Sequence, residues 1–122
     1  MYDRELVREI LGQIRQSIET VGERFKPVTS SDYFTSSPAG MEKLDAICMQ
    51  LIAIGESLKK LDKMTDGRLL ARYPQIDWRG AKGMRDIISH HYFDVDAEAI
   101  YQVCKDRLGP LAEAIEKMAQ TA

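Results

Sequence analysis

Five residues in the C-terminal half of this 122-residue chain have types and spacing suited to chemistry: Arg85, Asp86, His90, His91 and Tyr92. Breaking a phosphodiester needs a cation on the non-bridging oxygens and a group that moves protons at neutral pH. Arg85 can supply the first and His90 the second. On a helix Asp86 and His90 are i and i+4, so the carboxylate can orient the imidazole and stabilise its charge. Arg85 and Tyr92 are i and i+7 and share nearly one face if the helix extends that far. About 140° around the axis separates Arg85 from His90, an arc that a long arginine can close. With a ribose 2′-hydroxyl as internal nucleophile, such a pair suffices to cleave RNA without a metal, and DNA has no such hydroxyl. A solvated helix face or a helix cap would carry the same residues, so the pair alone leaves both readings open.

Charge marks the same stretch. Residues 68–91 hold five basic side chains (Arg68, Arg72, Arg79, Lys82, Arg85) against Asp77 and Asp86. That is +3 locally in a chain of net charge −2, leaving −5 on the rest. A low overall charge and a pI near 5.7 argue against a protein that coats nucleic acid nonspecifically, but they permit a local anion site. Other chemistries find less support. His90 and His91 are adjacent and diverge by about 100° on a helix, which does not suit one metal ion. A supporting share in proton transfer remains open to His91. Cys48 and Cys104 stand alone with no zinc-like spacing, and no nucleophile elbow or phosphate-binding glycine loop is present.

The elements that position these residues read as helices throughout. Over residues 3–25, Leu6, Val7, Ile10, Leu11, Ile14, Ile18, Val21 and Phe25 recur in steps of three and four and give one apolar stripe. Residues 26–37 (KPVTSSDYFTSS) read as a connecting loop. Ser37-Pro38 has the form of an N-cap with Pro at the first helical position, opening a second helix to about Asp62. Its stripe is Met41, Leu44, Ile47, Cys48, Leu51, Ile54, Leu58 and Leu61. Gly55 within that stripe predicts a close approach by another backbone. After breaks at residues 65–67 and 73–74, a third long helix is expected from Asp77 to about His91, with Gly80 and Gly83 as sites of close helix packing. A last helix capped by Asp96 should kink at Gly109-Pro110. The expected architecture is a single all-α domain over residues 1–122, an antiparallel bundle of four to five helices. No apolar run is long enough to span a membrane, and the first residues lack the apolar core of a signal peptide, so a cytoplasmic protein is expected.

The segment YPQIDWRGAKGMRDIISHHY at residues 73–92 resembles the HepT-like branch of the HEPN superfamily. The resemblance is carried by Tyr73-Pro74, by Ile76-Asp77-Trp78, by Met84-Arg85-Asp86 and by His90-x-Tyr92. The run IAIGESLKKL at 52–61 and the run FDVDAEAIYQVCKDRLGPL at 93–111 fit in kind and order. The resemblance extends over nearly the whole chain and is weakest over residues 1–40.

Membership would imply a HEPN-like bundle that forms a homodimer, with the motif helices of both subunits facing a shared cleft. It would imply a metal-independent ribonuclease toxin of a bacterial or archaeal toxin–antitoxin pair, requiring no cofactor. Arg85 and His90 would be catalytic, with Asp86 the polar residue that follows the motif arginine. Tyr92 matches the tyrosine that a minimal nucleotidyltransferase antitoxin, MntA-like, modifies with AMP. A different reading needs the same fold but no active His90: a non-catalytic module that binds and regulates a nucleotidyltransferase or a nucleotide.

Overall fold

The computed structural model describes residues 3–90 and 96–121, apart from the side chains of Ile87, Ser89 and His90. Every regular element among them is helical. Helix α1 spans Arg4–Phe25, and Asp3 caps it by accepting a hydrogen bond from the Leu6 amide at 3.2 Å. Val7, Ile10, Leu11, Ile14, Ile18 and Val21 are buried on one stripe, as the sequence spacing predicts. Helix α3 spans Pro38–Met64, with Pro38 in its first turn and Ser37 accepting from the Gly40 amide at 3.0 Å. It ends in a Schellman-type turn in which Asp66 and Gly67 both take left-handed conformations, and the Gly67 amide reaches back to the Asp62 carbonyl at 2.9 Å.

The last rod is composite. Helix α7 (Ala97–Gln102), capped by Asp96, leads into one wide π-helical stretch at Val103–Arg107 and then into α8 (Leu108–Thr121). The expected interruption thus falls one turn before Gly109-Pro110. Pro110 has no amide proton and its ring crowds the carbonyl four residues back. Widening that preceding turn places Pro110 in the first turn of α8, where a missing donor costs little. The Leu108 amide bonds the Val103 carbonyl, five residues back.

Long-range pairs fix the directions. Arg15 meets Glu116 at 3.0 Å, whereas Phe25 stacks near Tyr101, so α1 and the last rod run antiparallel. On α3, Asp62 pairs with Lys82 and Glu56 with Arg85, so the segment carrying Arg85 also runs antiparallel to α3. One apolar core joins α1, α3 and the last rod, with Leu11, Leu58, Leu61 and Ile115 excluded from solvent.

Several expectations change. The loop at 26–37 contains a short helix, α2 (Asp32–Thr35), whose Phe34 is fully buried against the core. Met41, expected on the buried stripe of α3, is 47% exposed, whereas its neighbour Gly40 is buried against the backbone of Tyr33 and Phe34. The expected third long helix is two short ones, α5 (Trp78–Lys82) and α6 (Met84–His90), separated at Gly83. Between α3 and α5, Arg68–Ala71 makes only a single turn, α4, as the spacing of breaks suggests. No described helix is long and apolar enough to cross a membrane.

Candidate active site

The site begins with a glycine on α3. A Cβ placed on Gly55 would sit 2.9 Å from the Ala81 carbonyl oxygen, closer than side chains tolerate. The missing side chain therefore lets α5 dock directly on the α3 backbone, the close approach that the sequence predicts. Gly80 and Gly83 do not play that part. A Cβ on Gly80 would collide with the capping carboxylate of Asp77, and one on Gly83 would press on the Arg79 carbonyl of its own turn. Both glycines serve local turn chemistry rather than packing between helices.

Asp77 opens α5 by accepting from the Gly80 amide at 3.0 Å. The Trp78 indole donates to the Tyr73 carbonyl at 2.9 Å and fastens the Tyr73-Pro74 turn to the start of α5. At Gly83 the amide bonds back to the Arg79 and Gly80 carbonyls and the helix stops. The Asp86 amide then bonds the Gly83 carbonyl, and α6 begins. Met84 and Ile88, one turn apart on α6, are buried against the core. That registration leaves Arg85 and Asp86 on the exposed side.

Arg85 is 59% exposed, and its Nη1 donates to Oε1 of Glu56 at 2.9 Å. Lys59 Nζ stands 3.2 Å from the other oxygen of the same carboxylate. The Arg85 hydrogen bond, and next the nearby Lys59 ammonium, hold the Glu56 carboxyl below its ordinary pKa, so it stays ionised beside both cations. Six residues beyond Glu56 on α3, Asp62 pairs with Lys82 at 2.7 Å. The +3 charge of residues 68–91 is thus partly balanced by carboxylates of α3. Glu56, Lys59 and Asp62 have no functional role in the sequence expectations. Glu56 lies 29 residues before Arg85, and its only signal is its place in the run IAIGESLKKL that fits the resemblance.

The structure puts Arg85, Asp86 and His90 on one short helix. His91 and Tyr92 lie outside the described residues, as does the side chain of His90. Cys48 and Cys104 are buried, and burial pushes their thiols up to about 11 and about 12, which leaves neither as a nucleophile at neutral pH. An apolar groove of about 670 Å³ opens between α3, α5 and the last rod, lined by Leu51, Ile54, Ile76, Met84 and Leu111 among others. Neither Arg85 nor Glu56 lines it.

Comparison with known proteins bears directly on this segment. Residues 14–118 match the family described as "Ribonuclease HepT-like". A Methanocaldococcus jannaschii protein named "Gamma-glutamylcyclotransferase and putative RNase MJ0434" is 32% identical over 96% of this chain. The chain spans 49% of that protein's length, and it matches 57% of a second protein of the same organism, "Putative RNase MJ0127", at 30% identity over 60% of the chain. The "Probable ribonuclease HepT" of Thermococcus cleftensis is 27% identical over 91% of this chain and 94% of its own length. No solved structure matches. The match spans α5 and α6 together with most of the core that carries them, and the chain belongs to the HepT-like ribonuclease family.

Proposed function

We propose that this chain is a metal-independent RNA endonuclease, the toxin of a toxin–antitoxin pair, acting as a homodimer. The observation that carries the reading is Arg85: a 59% exposed arginine on α6, inside the stretch that matches a ribonuclease family and at the position where the resemblance of residues 73–92 puts the motif arginine. Its guanidinium would take the non-bridging oxygens of the scissile phosphate and stabilise the charge that builds as the phosphorus becomes five-coordinate. The ribose 2′-oxygen forms the new bond to phosphorus and the bond to the 5′-oxygen breaks. His90 exchanges the protons, taking one from the 2′-hydroxyl and returning one to the leaving oxygen. Asp86, four residues before His90, supports the imidazolium charge, and His91, the next residue in sequence, is an auxiliary proton carrier. The products are a 2′,3′-cyclic phosphate and a 5′-hydroxyl. A second subunit brings another Arg85 and His90 to one cleft, the doubling that isologous symmetry supplies.

Control rests on Tyr92. A minimal nucleotidyltransferase antitoxin would transfer AMP from ATP to its hydroxyl with release of pyrophosphate. The added phosphate places negative charge beside the cations that receive RNA. In the test, purified chain and short RNA are incubated in EDTA and the products are analysed by mass. Cleavage that persists and leaves 2′,3′-cyclic phosphate ends is the expected result; activity lost in EDTA and restored by a divalent ion would contradict it. Tyr92→Phe should remain toxic when co-expressed with the cognate nucleotidyltransferase, while the wild type is silenced. Silencing of both alike would remove the modification from the account.

A further inference from the structure

Arg85 stands on the second residue of a seven-residue helix that begins just after a break at Gly83. A long, exposed side chain in that position has many rotamers open to it. Its Glu56 partner is differently placed. Glu56 lies about two-thirds of the way along the 27-residue α3, directly after the glycine at which α3 and α5 make backbone contact. The distance between the two anchoring backbones is therefore set by the Gly55 approach to the Ala81 carbonyl. Lys59, at 3.2 Å from Oε2, braces the carboxylate from the other side, and the Lys82–Asp62 pair ties down the end of α5. The Nη1–Oε1 bond engages one of the five guanidinium N–H donors.

We propose that Glu56 is the positioning residue for Arg85: anchored beside Gly55 and braced by Lys59, its carboxylate sets where the guanidinium meets the substrate phosphate. The proposal rests on the ribonuclease reading above. It has a consequence that a merely structural ion pair would not have. Glu56 is an anion close to the site of an anionic ligand, so it opposes ground-state binding of RNA while aligning the arginine for the reaction. Neutralising it should separate the two effects: binding is kept or tightened, and turnover falls because the arginine is misaligned.

Steady-state cleavage of a short RNA by the full chain separates the possibilities, with Glu56→Gln, Glu56→Asp, Lys59→Ala and Arg85→Ala beside the wild type and a thermal melt of each. Glu56→Gln should lower kcat by about 100-fold, the cost of an arginine displaced by about 1 Å, with KM unchanged or lower. Glu56→Asp should recover part of that loss. Lys59→Ala, which removes only the brace, should give a smaller loss in the same direction, and it keeps the test open should Glu56→Gln fail to fold. Binding of a 2′-O-methyl RNA of the same sequence, which cannot be cleaved, should be no weaker for Glu56→Gln than for the wild type. Wild-type kcat in Glu56→Gln alongside an inactive Arg85→Ala would overturn the positioning role and leave the ribonuclease reading standing. A kcat loss matched by a lower melting temperature, without recovery in Glu56→Asp, would also overturn it, because Glu56 would then serve the fold. Failure of the wild type to cleave any RNA would overturn the ribonuclease reading, and this proposal with it.

Discussion

The core of α1, α3 and α8 and the segment formed by α5 and α6 are built on opposite principles. In the first, long capped helices bury continuous apolar stripes, and Leu11, Leu58, Leu61 and Ile115 have no contact with solvent. In the second, two helices of five and seven residues are separated by a glycine, α5 has no buried residue, and of the described side chains of α6 only Met84 and Ile88 reach the core, beside charged pairs to α3. Neither short helix would persist alone, since isolated helices below about 12 residues are marginal in water. The segment therefore borrows its order from α3, through Gly55, Glu56 and Asp62. Most of the buried apolar surface lies in the long helices, and Arg85, proposed to bind the substrate phosphate, is exposed on the short unit. Substitutions in the two regions should accordingly move different observables.

The largest effect on stability is expected in the core. Leu58→Ala removes a fully buried side chain from the C-terminal third of α3 and should cost about 2–5 kcal/mol in denaturant unfolding. The fraction that remains folded should keep its activity per molecule. Gly55→Ala is next, and it couples the two regions. The new methyl must push against the Ala81 backbone carbonyl, for about 1–3 kcal/mol of lost stability, even though alanine is the better helix former. Because α5 is displaced, cleavage should fall further than the folded fraction does. A Gly55→Ala variant as active per folded molecule as the wild type would show that the docking contact does not govern the site. Ser37→Ala should have the smallest effect, about 1 kcal/mol from a lost cap at the start of α3 and no change in activity, since the cap is far along the rod from Glu56.

Local chemistry made much of this architecture legible. Ser37, Asp77 and Asp96 each read as N-caps, and each accepts a hydrogen bond from the amide three residues on. The stripe of α1 is found nearly as its spacing predicts, with Phe25 half-buried at its end. The need of Gly55 for a close neighbour was also readable, because a glycine inside a buried stripe has few other uses. What escaped depends on contacts distant in sequence. Phe34 nucleates α2 only because α3 and the last rod offer it a core. The stop at Gly83 was masked by apolar periodicity that continues from Trp78 through Met84 to Ile88. The placement of Arg85 was read from its own helix, where Asp86 and His90 are the obvious companions. Its partner Glu56 lies on another helix, and no periodicity within α6 points to it.

Cleavage of a labelled RNA in EDTA by the wild type, Arg85→Ala and His90→Ala, with a melting curve on each sample, tests most directly the division between a stabilising core and a segment proposed to carry the chemistry. The account predicts RNA cleavage by the wild type and a loss of about 100- to 1,000-fold or more in both variants. The Arg85→Ala melt should fall by no more than the roughly 1 kcal/mol that an exposed ion pair is worth. Wild-type cleavage by Arg85→Ala, or a loss of activity that only tracks unfolding, would contradict it.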